Sequence, residues 1–150
     1  MEIFKQLLPQ IAQLKPLAVN NEIVCWQAFD QSGTLLGYAF AKDVPELGAD
    51  FPGVEDMDRY QVRGIIDPKD YKIISIDISL HPKGPDQPWT TEVTEPKFKK
   101  QYLGLSVKEI DLAPDGKIDA ISEATLSSTW ITTAIRDKLE EIIKQTKPGR

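Results

Sequence analysis

Residues 71–81 carry a period of two: Ile74, Ile76, Ile78 and Leu80 are interleaved with Ser75, Asp77, Ser79 and His81. Successive side chains of a strand point to opposite faces, so this pattern predicts a strand with one face in a core and one polar face. A strand with one wetted face belongs in an antiparallel sheet rather than in a parallel sheet covered on both sides. The rest of the chain must then supply strand partners and a layer that covers the apolar face.

Partners can be read directly. Residues 22–29 and 34–41 are apolar runs joined by Asp30-Gln31-Ser32-Gly33, the signature of a β-hairpin. The second run has unlike faces, bulky at Leu36, Tyr38 and Phe40 and small at Gly37, Ala39 and Ala41. A small-residue face admits close approach by a packed helix or by a flat ligand. A further strand over residues 59–67 leads through the turn Pro68-Lys69-Asp70 into the alternating one. Another is expected around residues 106–112, before the turn Pro114-Asp115-Gly116.

The covering layer is helical. From Ser127 onward, Ile131, Ala134, Ile135, Leu139, Ile142 and Ile143 form one stripe, with charged residues around it. Residues 2–14 place Ile3, Phe4, Leu7, Leu8, Ile11 and Leu14 at helical spacing. Pro9 should kink or split that segment and Pro16 should end it, so residues 1–16 predict an N-terminal helical segment. Thr94 is expected to N-cap a short helix with Pro96 in its first turn, Phe98 and Tyr102 on its apolar face and Gly104 past its end. Residues 43–58 and 82–91 read as long loops. With 150 residues and no internal repeat, the expectation is one α+β domain over 1–150. It is an antiparallel sheet with helices packed on it and a long C-terminal helix.

Several classes of function are excluded. Eighteen basic against 23 acidic side chains leave a net charge of −5, the wrong sign for a nucleic-acid binder. A single cysteine, Cys25, lies in the apolar run Ile23-Val24-Cys25-Trp26. It rules out an internal disulfide or a thiolate-rich metal site and reads as an inert core thiol. With His81 as the single histidine, paired-histidine chemistry and His-based metal sites are excluded too. No apolar run approaches the ~20 residues needed to cross a bilayer, and residues 1–6 lack the order of a secretory signal. The expectation is a soluble chain without membrane insertion of its own. It is cytoplasmic as written, or extracytoplasmic and membrane-associated if trimmed from behind an anchor.

The chemistry lies in the hydroxyl-rich stretch Asp119-Ala120-Ile121-Ser122-Glu123-Ala124-Thr125-Leu126-Ser127-Ser128-Thr129, just ahead of the long helix. Unpaired N–H groups and the positive end of the dipole make a helix N-terminus a natural phosphate site. Simple N-capping by Ser127 or Ser128 is the plainer alternative. Asp-x-x-Ser-x-Ala-Thr ahead of a helix resembles the flavinylation motif of FMN-binding domains. Those domains occur in the G subunit of Rnf-type electron transport complexes and in the C subunit of sodium-translocating NADH:quinone reductase. The resemblance spans roughly residues 33–143. It includes Gly37-Tyr38-Ala39-Phe40, Asp77-Ile78-Ser79-Leu80-His81 before a Pro-rich loop, and Phe98-Lys99-Lys100-Gln101-Tyr102-Leu103-Gly104.

What the resemblance implies is an FMN-binding electron-transfer module, a carrier domain or oxidoreductase subunit rather than a stand-alone enzyme. The absence of a Ser/His/Asp set and of a G-x-G-x-x-G nicotinamide fingerprint agrees with that. Thr125 matches the residue that carries FMN through a phosphoester bond, with Asp119, Ser122 and Ala124 in register and Leu126 and Ser127 following. Non-covalent binding of the phosphate on the helix amides is the other form of this reading. His81 is either a surface or backbone-bonded residue, or it lies beside the flavin, where a protonated imidazole favours the anionic reduced form. Tyr38 is a core aromatic first and a ring-stacking candidate second, and Trp89 either stacks on the flavin or anchors its loop. Two departures from the family pattern stand out. Glu123 replaces the motif glycine, and the loop after His81 lacks the usual acid-Thr pair. They motivate the alternative of a flavin-free relative that binds a protein or another ligand. The redox partner is not identified by the sequence.

Overall fold

The computed structural model describes residues 2–44, 60–80, 94–120 and 125–147 and, for Leu80 and residues 125–127, the backbone. Its described elements run α1 (Glu2–Leu7), β1 (Gln13–Val19), β2 (Glu22–Phe29), β3 (Leu35–Val44), β4 (Tyr60–Ile66), β5 (Ile73–Leu80), α2 (Pro96–Lys99) and α3 (Thr125–Thr146). The strands form one antiparallel meander in the order β1-β2-β3-β4-β5. The fold is therefore α+β, as expected, with α3 as the long C-terminal helix.

Local chemistry sets the turns. Asp30 Oδ1 accepts from the backbone N–H of Ser32 and of Thr34, each at 2.9 Å, and from the Ser32 hydroxyl at 2.8 Å. Gly33 adopts φ 84°, a region that glycine enters without penalty, and the β2–β3 hairpin closes. Between β3 and β4 the approach is close. A Cβ on Gly37 would lie 2.5 Å from the Ile66 carbonyl oxygen, so the small side of β3 is required at that point.

The N-terminal expectation is corrected. The helix ends at Leu7, before Pro9, and residues 13–19 form a strand that contains Pro16 instead of ending at it. Because β1 is the sheet edge, a residue without an N–H is tolerated there. Asn20 and Asn21, at φ 54° and 66°, supply the two left-handed residues of a tight hairpin and bring β1 back on β2 with Pro16 opposite Trp26. The expected strand at 106–112 is also corrected: Val107–Glu109 is a single 3₁₀ turn, and Leu112 makes an isolated parallel bridge to Ile118. In β5 the alternation slips at Ile74. A register shift opposite Ile65/Ile66 puts Ile73 in the core and leaves Ile74 39% exposed.

Two apolar layers flank the sheet. On one face Tyr38, Phe40, Tyr60, Val62, Ile66 and Ile78 pack with Ile131, Ile135, Leu139 and Ile142 of α3. On the other, Ala28, Ala39 and Ile65 are covered by Phe4 of α1 and by Ile11. The small-residue face of β3 is thus filled by a helix. Cys25 is fully buried, and desolvation raises its thiol to about 11, so it is a core residue and no nucleophile.

Candidate functional site

Phe98 and Tyr102 lie one turn apart and meet edge to face, with ring centroids 5.6 Å apart, and both are buried in the α3-side core. Pro96 starts α2 and Glu95, rather than Thr94, is its N-cap. After Lys99 the helix tightens into a 3₁₀ turn over Lys100–Tyr102. This short segment touches three parts of the molecule. Lys99 Nζ donates to Asp77 Oδ1 at 3.0 Å on the polar side of β5, where Arg63 Nη1 also pairs with Asp77 at 3.6 Å. The Tyr102 hydroxyl shares a 2.8 Å hydrogen bond with Thr132 Oγ1, inside the protein and two turns along α3 from Thr125. Burial holds the Tyr102 phenol well above its ordinary pKa, so it stays protonated.

The third contact is with the segment ahead of α3. Gln101 Oε1 accepts from the Asp119 N–H at 2.6 Å, and Gln101 Nε2 donates to the Asp119 carbonyl at 3.1 Å. The chain leading to Asp119 is itself fixed. Ile110 and Ile118 are fully buried, Ala113 N–H donates to the Ile118 carbonyl at 2.9 Å, and Asp111 pairs with Arg136 of α3 at 3.1 Å. Asp119 therefore arrives with its backbone held and its side chain exposed.

Thr125, Leu126 and Ser127 form the first turn of α3, and that turn holds no acidic residue. Ser128, next along, is fully buried, and Thr132 is 2% exposed. The arrangement suits an anion: N–H groups without intrahelical acceptors, hydroxyl-bearing residues, and no carboxylate in the first turn to repel it. Ser122, Ala124, His81 and Trp89 lie outside the described residues. Tyr38 is not brought to this end. Its ring stacks on Tyr71 with centroids 6.1 Å apart, and the Tyr71 hydroxyl bonds Thr146 at 3.0 Å. Thr146 is the last residue of α3, about 30 Å along the helix from Thr125. Tyr38 is buried in the α3-side core. Among the described residues no group of three or more His, Cys, Asp or Glu is placed to hold a metal.

Sequence reasoning passed over Gln101 as an element of the site. The signal was Gln101 itself, within the Phe98–Gly104 stretch that carries part of the family resemblance, but its partner lies 18 residues away and the pattern does not name it.

The FMN-binding domain family matches residues 22–140, most of the chain, including the sheet from β2 onward, α2, the Asp119 segment and most of α3. The chain belongs to that family. Its cofactor is FMN, and the anion-compatible start of α3 fits the phosphate of such a nucleotide. The chain is similar to the G subunit of the ion-translocating oxidoreductase complex of Methanosarcina acetivorans. The two are 25% identical over 152 residues, which cover 96% of this chain and 75% of the relative. No solved structure matches it. Among the described residues of this FMN-binding domain, no helix is long and apolar enough to cross a membrane.

Proposed function

We propose that this FMN-binding domain is an electron-transfer module that holds its flavin phosphate at the start of α3, in phosphoester linkage to Thr125. One observation carries the reading: Thr125, the threonine of the Asp-x-x-Ser-x-Ala-Thr motif, is the first residue of a 22-residue helix with no acid in its first turn. Similarity to a subunit of an ion-translocating oxidoreductase complex supports an electron-carrier role with a redox partner protein. Held there, FMN supplies reversible electron uptake and release.

The residues divide the remaining work. The backbone N–H groups of Leu126 and Ser127 hold phosphate oxygens, and Asp119, Ser122 and Ala124 form the segment that presents Thr125. His81 and Trp89 are assigned to the flavin ring, the first favouring negative charge on it and the second stacking on it. Attachment requires an activated phosphate, which the pyrophosphate of a flavin dinucleotide provides. The Thr125 oxygen bonds to the flavin-side phosphorus, the pyrophosphate bond breaks, AMP leaves, the hydroxyl proton goes to solvent, and no electrons change hands. Glu123 in place of the motif glycine is the feature that favours a flavin-free relative instead.

Co-expression with a flavin transferase separates these readings. The expected product is yellow and heavier by one FMN phosphoester, and Thr125→Val removes the added mass while keeping the circular dichroism of the fold. A colourless wild-type protein with no mass gain and no affinity for added FMN overturns the carrier reading. Covalent flavin persisting in Thr125→Val overturns the attachment site alone.

A further inference from the structure

We infer that Gln101 is a positioning residue for flavin attachment, fixing Asp119, at the start of the motif, relative to α3; this rests on the reading of Thr125 as the acceptor. Adjacent residues of one 3₁₀ turn hold the two sides of that segment. Gln101 binds both backbone groups of Asp119, at 2.6 and 3.1 Å, and Tyr102 binds Thr132 of α3 at 2.8 Å. The upstream end of the motif and the helix that follows it are thereby fixed to the same short element. That element is anchored in turn to the sheet edge. Gly104 N–H donates to the Ile73 carbonyl at 2.8 Å, Ile73 N–H donates to the Leu105 carbonyl at 3.2 Å, and Lys99 reaches Asp77.

The side chain suits this task. A peptide unit running past Asp119 offers one donor and one acceptor, and a primary amide is the side-chain group that answers both while neutral. An ionised carboxylate at the same place accepts from the N–H but repels the carbonyl. A protonated carboxyl does both. Reaction geometry is sensitive to small displacements of the reacting group, so a loosened segment slows modification more than it weakens the fold.

The test measures the rate of covalent flavin incorporation into the full chain by intact mass, at limiting transferase, relative to wild type at each pH. Alongside it run hydrogen exchange at the Asp119 amide and the fluorescence anisotropy of the attached flavin. Gln101→Ala is expected to incorporate flavin roughly tenfold more slowly, to exchange the Asp119 amide faster and to lower flavin anisotropy. Its far-ultraviolet circular dichroism should stay as in wild type. Gln101→Glu is expected to be as slow at neutral pH and to recover relative to wild type as the pH falls and its carboxyl protonates. If Gln101→Ala incorporates flavin at the wild-type rate with unchanged anisotropy, or if Gln101→Glu shows no pH-dependent recovery, the positioning role is wrong while the Thr125 assignment stands. Wild-type protein that takes no flavin at all defeats both.

Discussion

Glu109 illustrates how single residues hold the approach to the site. Its carboxylate pairs with Lys117 at 2.6 Å and accepts from the Ser106 N–H at 3.0 Å and the Ser106 hydroxyl at 3.2 Å. The bond from Lys117, followed by that from the Ser106 backbone, lowers its pKa from 4.5 to about 2. A carboxyl depressed on folding adds stability that is fully present above its unfolded value and is lost as the pH falls through the folded one. The Glu109 contribution is therefore present above about pH 5 and disappears between there and pH 2. Thermal melts of wild type and Glu109→Gln should converge as the pH is lowered through that window, with the variant less stable at neutral pH. Parallel curves would show that the 106–117 loop does not depend on this carboxylate.

At the scale of elements, α3 does most of the covering, and its stripe was legible because burial and helical period coincide. Ile131, Ile135, Leu139 and Ile142 are spaced by four, four and three residues, and all are at most 1% exposed. Ile135→Ala leaves a cavity under the sheet and should cost about 3 kcal/mol in urea denaturation, within the range for deleting a buried aliphatic side chain. A cost under about 1 kcal/mol would mean that the helix is not packed as described. Strand β2 was equally plain, and the alternation of β5 was plain except at Ile74, where the register shifts. Residues 2–14 misled because period reports which residues are buried, not which element buries them. Phe4 and Ile11 do share one core, but Leu14 reaches it from a strand. The Asn20-Asn21 turn carries no glycine and hides the hairpin. Around 106–112, Leu105, Val107, Ile110 and Leu112 imitate a strand, yet the hydrogen bonds of Gly104 and Ile73 occupy the place beside β5, and Ser106 and Glu109 close a turn instead. The site divides the same way: its motif is contiguous and readable by resemblance, while the Gln101–Asp119 and Tyr102–Thr132 contacts join residues that only the fold brings together.

For the molecule as a whole, the sheet separates two cores of unequal work. The α3 side includes the helix that begins at Thr125, and the edge segment 96–104 packs against that same side. The α1 side is a smaller cluster around Phe4, Ile11, Ala28, Ala39 and Ile65. α1 and β1 also precede residue 22, where the family match begins. A sheet in between, with two core clusters made of different side chains, is the condition under which two perturbations add without coupling. Phe4 is 5% exposed and meets the Trp26 ring at 5.6 Å, so Phe4→Ala should destabilise the protein by about 3 kcal/mol. Below its melting temperature, the same variant should accept flavin at the wild-type rate, because Phe4 packs in the core cluster on the other face of the sheet from α3. The double variant with Gln101→Ala should then show the Phe4 loss in stability and the Gln101 loss in incorporation, each at its single-variant size. A slowed incorporation in folded Phe4→Ala protein would mean that strain passes through the sheet from α1 to the start of α3, and the two faces would have to be treated as one unit.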